Sequence, residues 1–460
     1  MNQIPGGLRT DQQPPMAIPL RHFVVALSFL VVAAVGGTVL AVTTVPGLSG
    51  VARIHALLLG WIGLTIMGAM TQFVPVWSGV TIHSRRLAIA QLWLVTAGLV
   101  GFVACLLAGA FAWLPLVAAA ILLGLLVFVY NVGRTLWAAR PLDFTERHFA
   151  LALACFATLA PLGYLMAVDF TRPAFDGIAL TRGDVLLVHA TLALYGAVLA
   201  TIVGALAQLG QMFTQAEFDP IDERLLALEQ ALFPAGLVLF AASRGLGSEP
   251  AARIGALALL AGLAAFAVVV ARLLLHSTVD RSPMTKRYWV VVASLAAWIA
   301  LAVPAWWRDP ASYATLFGHP DGTDVLLVGV FAFVVVGSLY HIVPFIIWID
   351  RYSDRLGFEQ VPMIDDLYDD RLERADFLLT LVGFVGLAAG PLVALPTAVT
   401  VAGSLLMTVG FGLFVLNMLL TIHRHGPDGI AGVLASGIGP EEESAAAEPG
   451  DPDVGVSVDE

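Results

Sequence analysis

Cysteine is almost missing from this 460-residue chain: only Cys105 and Cys155 are present, far apart and inside apolar runs. A disulfide framework, a zinc ribbon and an iron–sulfur cluster each need more or closer cysteines, and all three are excluded. Charge is scarce as well. Charged residues make up 12% of the chain and hydrophobic ones 59%, with a mean hydropathy of +0.87. A soluble domain carries about 25% charged residues, so a water-soluble fold is excluded. Lysine occurs once, at Lys286, and no basic face for nucleic acid exists. Also absent are a phosphate-binding glycine loop, a Gly-x-Ser-x-Gly nucleophile elbow and a Cys-x-x-Cys-His haem attachment site.

What the chain has instead is long apolar runs. At roughly 20 apolar residues per membrane span, twelve transmembrane helices are expected, near 22–45, 52–77, 87–110, 113–136, 149–170, 185–213, 225–243, 252–276, 288–306, 324–348, 375–394 and 397–422. The domain plan is a segment 1–21, a polytopic membrane domain 22–425 and an acidic tail 426–460. The tail holds Asp428, Glu441, Glu442, Glu443, Glu448, Asp451, Asp453, Asp459 and Glu460, the bulk of a net charge of −11. Its composition predicts disorder. Most Lys and Arg fall in the N-terminal segment or in loops after even-numbered spans. On the other side are only Arg53, Arg172, Arg182, Arg244, Arg253 and Arg308, with Arg272 inside the eighth run. The positive-inside rule then places both termini in the cytoplasm of a multi-pass cell-membrane protein whose first partner is the lipid bilayer.

The second, sixth and tenth spans resemble one another. They open GVARIHALLLGWIGL from Gly50, DVLLVHATLALYG from Asp184 and DVLLVGVFAFVVVG from Asp324. Toward their far ends lie Gly68 to Pro75, Gly204 to Gln208 and Gly337 to Pro344. The opening and closing matches imply different registers. Either way the unit is four helices, and an even number of spans per unit means repeats of the same orientation. The expected architecture is an all-α membrane bundle of three four-helix arcs around a central axis.

Most histidines fall at helix ends or in loops and read as solvated: His22, His83, His148, His276, His319, His423 and His425. His55, His189 and His341 lie within spans, where an ionisable group is costly and usually faces a cavity, a cofactor or a partner. His55 and His189 sit about one turn inside the outer face and could present two imidazoles to a haem iron or a copper; the plain alternative is two neutral, hydrogen-bonded histidines. His341 lies near the other side, level with Gln72 and Gln208. With Tyr340 and Thr71 these residues are expected to form a polar intramembrane layer that guides protons or joins helices. The charged stretch Asp350 to Asp376 has helical spacing of acids and apolar residues, which predicts a surface helix.

Twelve helices, a threefold repeat and histidines near the outer ends of the second and sixth spans resemble subunit I of the haem–copper oxidases and the related nitric oxide reductases. The segments HALLLGWIGLTIMG and YHIVPFIIWIDRYS also look like those of oxidase-subunit-like membrane proteins. The resemblance implies that His55 corresponds to the low-spin haem ligand and His189 to a copper ligand. The rest of the family's ligand set is not matched. Gly322, Thr323, Asp324 and Val325 stand where the tenth helix would carry His-x-His. No histidine occurs from Thr214 to Leu275, and Ala193 replaces the tyrosine expected four residues after His189. The resemblance therefore implies a degenerate member without a binuclear oxygen-reducing centre, holding one b-type haem or one metal near the outer face. Its role would be electron transfer or gas sensing, with an electron donor or membrane complex as partner. His319 is a possible second ligand if its loop folds back. The other class of function open to the sequence is a cofactor-free permease or membrane scaffold.

Overall fold

The computed structural model describes residues 12–280 and 282–436. Among them twelve helices are long and apolar enough to cross a membrane: α1 (Ala17–Val42), α2 (Ser49–Ser78), α3 (Arg85–Ala108), α4 (Phe111–Ala138), α5 (Phe144–Val168), α6 (Arg182–Thr214), α7 (Pro220–Gly245), α8 (Glu249–Leu275), α9 (Pro283–Arg308), α10 (Val325–Arg351), α11 (Asp370–Leu392) and α12 (Thr397–His425). The protein is a multi-pass, all-helical membrane protein. Several helices begin a few residues before their apolar runs because polar residues cap them. Asp143, Thr181, Asp219 and Ser282 each accept a backbone N–H from the first turn, in reciprocal capping boxes.

Three helices form the centre. The apolar windows of α2, α6 and α10 are 78%, 72% and 94% buried within the protein, against 28–61% for the other nine. The outer helices pack in sequence order around them, and α1 closes the ring against α12. Each inner helix also widens into a π-helical stretch: Ala56–Gly63 in α2, Leu192–Leu199 in α6 and Val325–Ala332 in α10. These stretches superimpose the glycine pairs Gly60/Gly68, Gly196/Gly204 and Gly329/Gly337. Each glycine lets the first helix of its own arc approach closely. A Cβ would lie 2.5 Å from Phe29 Cγ at Gly60, 2.4 Å from Cys155 Sγ at Gly196 and 2.4 Å from Ser294 Oγ at Gly329. The second glycine of each pair faces His22, His148 and Arg287 in turn, at 2.6, 2.8 and 3.2 Å from their Cβ atoms.

The threefold repeat is therefore real at the level of packing, and its register is that of the helix ends. In that register His55, Thr191 and Asp324 are equivalent, and the DVLLV openings at Asp184 and Asp324 are not.

Two expectations need correction. No separate surface helix forms between Asp350 and Asp376. Ser353–Arg355 and Ile364–Leu367 each make one 3₁₀ turn, and Asp370, Glu373 and Asp376 fall in the first turns of α11. The cause is Asp369, whose carboxylate accepts the N–H groups of Arg371 and Leu372 and so starts the membrane helix there. The tail is also ordered further than expected: Gly429–Ala435 forms a short helix, α13, with Val433 buried. Arg21 of α1 donates to the carbonyls of Val433 and Ser436, so both ends of the described chain meet on one face. The tail acids from Glu441 onward lie outside the described residues.

Candidate functional site

On the face opposite the chain ends, a cavity of about 620 Å³ opens between α2, α3, α4, α5 and α6 and the segment preceding α10. His55 and His189 both line it. His55 Nδ1 donates to Val51 O at 2.8 Å, and His189 Nδ1 donates to Leu159 O at 2.9 Å. A carbonyl only accepts, so each Nδ1 carries the proton and each Nε2 presents its lone pair. Neither Nε2 has a hydrogen-bonding partner among the described residues.

Local packing aims both rings. His55 leans on Phe102 at 5.0 Å between ring centroids. His189 lies over Gly163 of α5, where a Cβ would come within 2.9 Å of its Cε1. Glycine at 163 is therefore what allows the ring its position.

The rest of the wall is mainly apolar, with Leu58, Leu122, Phe156 and Leu327 among its residues, and Arg53 and Asp324 also line it. One side of the cavity is the irregular segment before α10, which contributes Tyr313, Leu316 and Phe317. That segment is clamped by four donors. Trp306 Nε1 reaches Thr315 O at 2.7 Å, Tyr195 OH reaches Leu316 O at 2.9 Å, and Trp298 Nε1 reaches Phe317 O at 2.8 Å. Arg244 adds bonds to Pro310 O at 2.8 Å, Thr315 O at 3.1 Å and Thr191 Oγ1 at 2.8 Å. Its guanidinium is fully buried over the rings of Phe240 and Trp306. An irregular backbone at this depth is tolerated because every one of these carbonyls is satisfied from the protein.

Among the described residues, no three His, Cys, Asp or Glu side chains come together as a metal cluster. His319 does not line the cavity. Its Nδ1 instead accepts Asp321 N–H at 3.2 Å, capping a short turn.

The opposite level is not the single layer expected from Gln72, Gln208, His341 and Tyr340. Gln72 Nε2 donates to Gln13 Oε1 at 3.4 Å, while His341 packs its ring on Phe213 and Phe345. No hydrogen bond among the described residues joins Gln72, Gln208 and His341. Tyr340 belongs elsewhere, because one residue along a helix turns it onto another face. It donates to Asp376 and accepts from Asn417 Nδ2 at 3.2 Å. Asp376 in turn pairs with Arg287, whose other nitrogen donates to Glu373 at 2.6 Å.

This ion cluster and the His148–Glu229 pair at 3.0 Å are buried, so reading His148 as a solvated helix-end residue is corrected. His22 is buried too. The signal for all three was available. Arg21-His22-Phe23, Arg147-His148-Phe149 and Lys286-Arg287-Tyr288 open the first helix of each arc as one repeated motif.

No protein-family model matches this chain. Over 161 aligned residues it is 28% identical to the cbb3-type cytochrome c oxidase subunit CcoN1 of Stutzerimonas stutzeri. The match covers 27% of this chain and 34% of that protein, so the chain spans about a third of the length of that curated relative.

Proposed function

We propose that this protein is a membrane cytochrome built on the architecture of oxidase subunit I, a degenerate member that holds one b-type haem in the outer cavity. His55 and His189 would hold it through Nε2. The observation that carries this reading is that two imidazoles from separate inner helices, each fixed through Nδ1 to a carbonyl, line one cavity. Metal-ligating histidines characteristically donate their second nitrogen in this way. The cavity, at about 620 Å³, lies within the roughly 300–1,000 Å³ typical of cofactor sites. Two protein donors without a third suit a macrocycle that supplies its own equatorial nitrogens better than a bare zinc or copper ion, which takes three or four protein ligands.

A bound haem would supply reversible one-electron chemistry. The chain's own residues do the rest. Apolar walls exclude water, Gly163 gives His189 its place, and the clamp around Thr315 to Phe317 keeps the cavity's shape. With two histidines available to hold the group, electron transfer would be favoured over gas binding. The excess of arginine on the face of the chain ends supports a cytoplasmic position for that face. The cavity then lies at the outer side, where a membrane-complex partner would donate electrons.

The test is haem stoichiometry in protein purified from haem-replete cells. One b-type haem per chain by pyridine haemochrome is expected, and none when His55 and His189 are both replaced by alanine. An unchanged haem content in that double variant would refute the ligand assignment.

A further inference from the structure

Charge on the face of the chain ends is unevenly spread. From Gly79 to Leu142 the sequence holds no Asp or Glu, but it places Arg85 and Arg86 in the first turn of α3, and Arg134 and Arg140 at and just past the end of α4. The other connections on that face carry acids: Glu217 and Asp219 before α7, Asp280 before α9, and the run from Asp350 to Asp376 leading into α11. All four arginines of the α3–α4 corner are exposed.

The corner is a fixed structure. Asn131 Oδ1 accepts Ser84 N–H at 2.9 Å, Asn131 Nδ2 donates to Ser84 O at 3.0 Å, and Thr135 Oγ1 accepts His83 N–H at 3.1 Å. Asn131 and Thr135 are buried, so these bonds lock the start of α3 against the last turns of α4. On the outer side of α4, Tyr130, Arg134 and Trp137 follow at helical spacing and form one exposed stripe. His83 packs edge-on against Tyr130 at 5.4 Å between ring centroids, and the Arg140 guanidinium lies 3.4 Å over the Trp137 ring. Only 33% of the apolar window of α3 and 28% of that of α4 are buried within the protein, so the stripe borders lipid.

We propose that the α3–α4 corner binds the headgroup of an anionic phospholipid, with its phosphate at Arg134 between the Tyr130 and Trp137 rings. Trp and Tyr settle at the headgroup level of a bilayer, which puts the Arg134 guanidinium at the depth of the phosphates. An arginine fork matches two phosphate oxygens with parallel hydrogen bonds. The neighbouring arginines, in a stretch without a single carboxylate side chain, favour a headgroup of net negative charge over a zwitterionic one. The inference stands apart from the haem reading, since the corner lies at the opposite level from the outer cavity and needs no cofactor.

The test is native mass spectrometry of the full chain in detergent, with phosphatidylglycerol or phosphatidylcholine added in equal amount. Retention of phosphatidylglycerol over phosphatidylcholine is expected. At roughly fivefold per arginine, Arg134→Gln with Arg140→Gln should weaken phosphatidylglycerol binding about 25-fold. Both side chains are exposed, so the fold is kept. Arg371→Gln with Arg374→Gln, exposed on the same face among acids, should leave the binding unchanged. Equal retention of the two lipids, or an Arg134→Gln/Arg140→Gln protein that holds phosphatidylglycerol as well as the parent does, would overturn the proposal. So would phosphatidylglycerol binding that appears only when residues 437–460 are removed, because the acidic tail would then be the occupant of the corner.

Discussion

Replacing Gly163 by alanine tests the outer site without touching either histidine. The added Cβ would stand 2.9 Å from His189 Cε1 and 3.4 Å from Nδ1. Carbon atoms in contact prefer about 3.5–4.0 Å, so the ring must retreat by more than half an ångström. Its bond to Leu159 O, now 2.9 Å, then approaches the limit of a hydrogen bond. Losing it costs about 1 kcal/mol, and overpacking adds about 1–3 kcal/mol. More important, the Nε2 lone pair is re-aimed. Gly163→Ala is expected to lower the melting temperature in detergent and the haem content together. Gly412→Ala, where nothing lies within 4 Å, should change neither. A Gly163→Ala protein with the full haem complement and an unaltered spectrum would refute the argument that this glycine seats an axial ligand.

Other substitutions probe the supports. Arg244→Leu leaves Pro310 O without its donor while Thr315 O keeps Trp306, so the cost should be about 1–3 kcal/mol for one orphaned carbonyl. Hydrogen exchange should rise in residues 312–318 and not in α8; a uniform rise would count against a local clamp. Asp376→Ala leaves Arg287 and Tyr340 each short of a partner. Breaking a buried pair in this way costs about 3–5 kcal/mol, visible as a lowered melting temperature. The spectrum of the outer site should stay unchanged, because the cluster lies at the opposite level.

Much of the fold was legible because the bilayer imposes a simple rule: a span must be apolar for about 20 residues. All twelve expected runs coincide with helices, and His55 and His189 line one cavity although the repeat makes His55 equivalent to Thr191, two residues after His189. The register was harder. The DVLLV strings at Asp184 and Asp324 match by composition, because any buried helix draws on the same few apolar residues. The glycines at 60, 196 and 329 mark the true alignment through close helix contact, which composition does not reveal. His22 and His148 were misplaced for a related reason. Counting apolar runs starts each span just at or after these residues, so a buried motif at the membrane edge reads as a solvated helix end. The clamp on Thr315 to Phe317 could not be seen in sequence at all, since its donors come from three helices and its acceptors are main-chain carbonyls.

The central claim is that His55 and His189 hold one haem between them. It is tested most directly by the reduced-minus-oxidised visible spectrum of the purified protein beside single His55→Ala and His189→Ala variants. The account expects a low-spin b-type signal in the parent protein that either substitution abolishes. A colourless parent protein from haem-replete cells would contradict it and favour a cofactor-free permease or scaffold, and a signal that survives both substitutions would place the haem elsewhere.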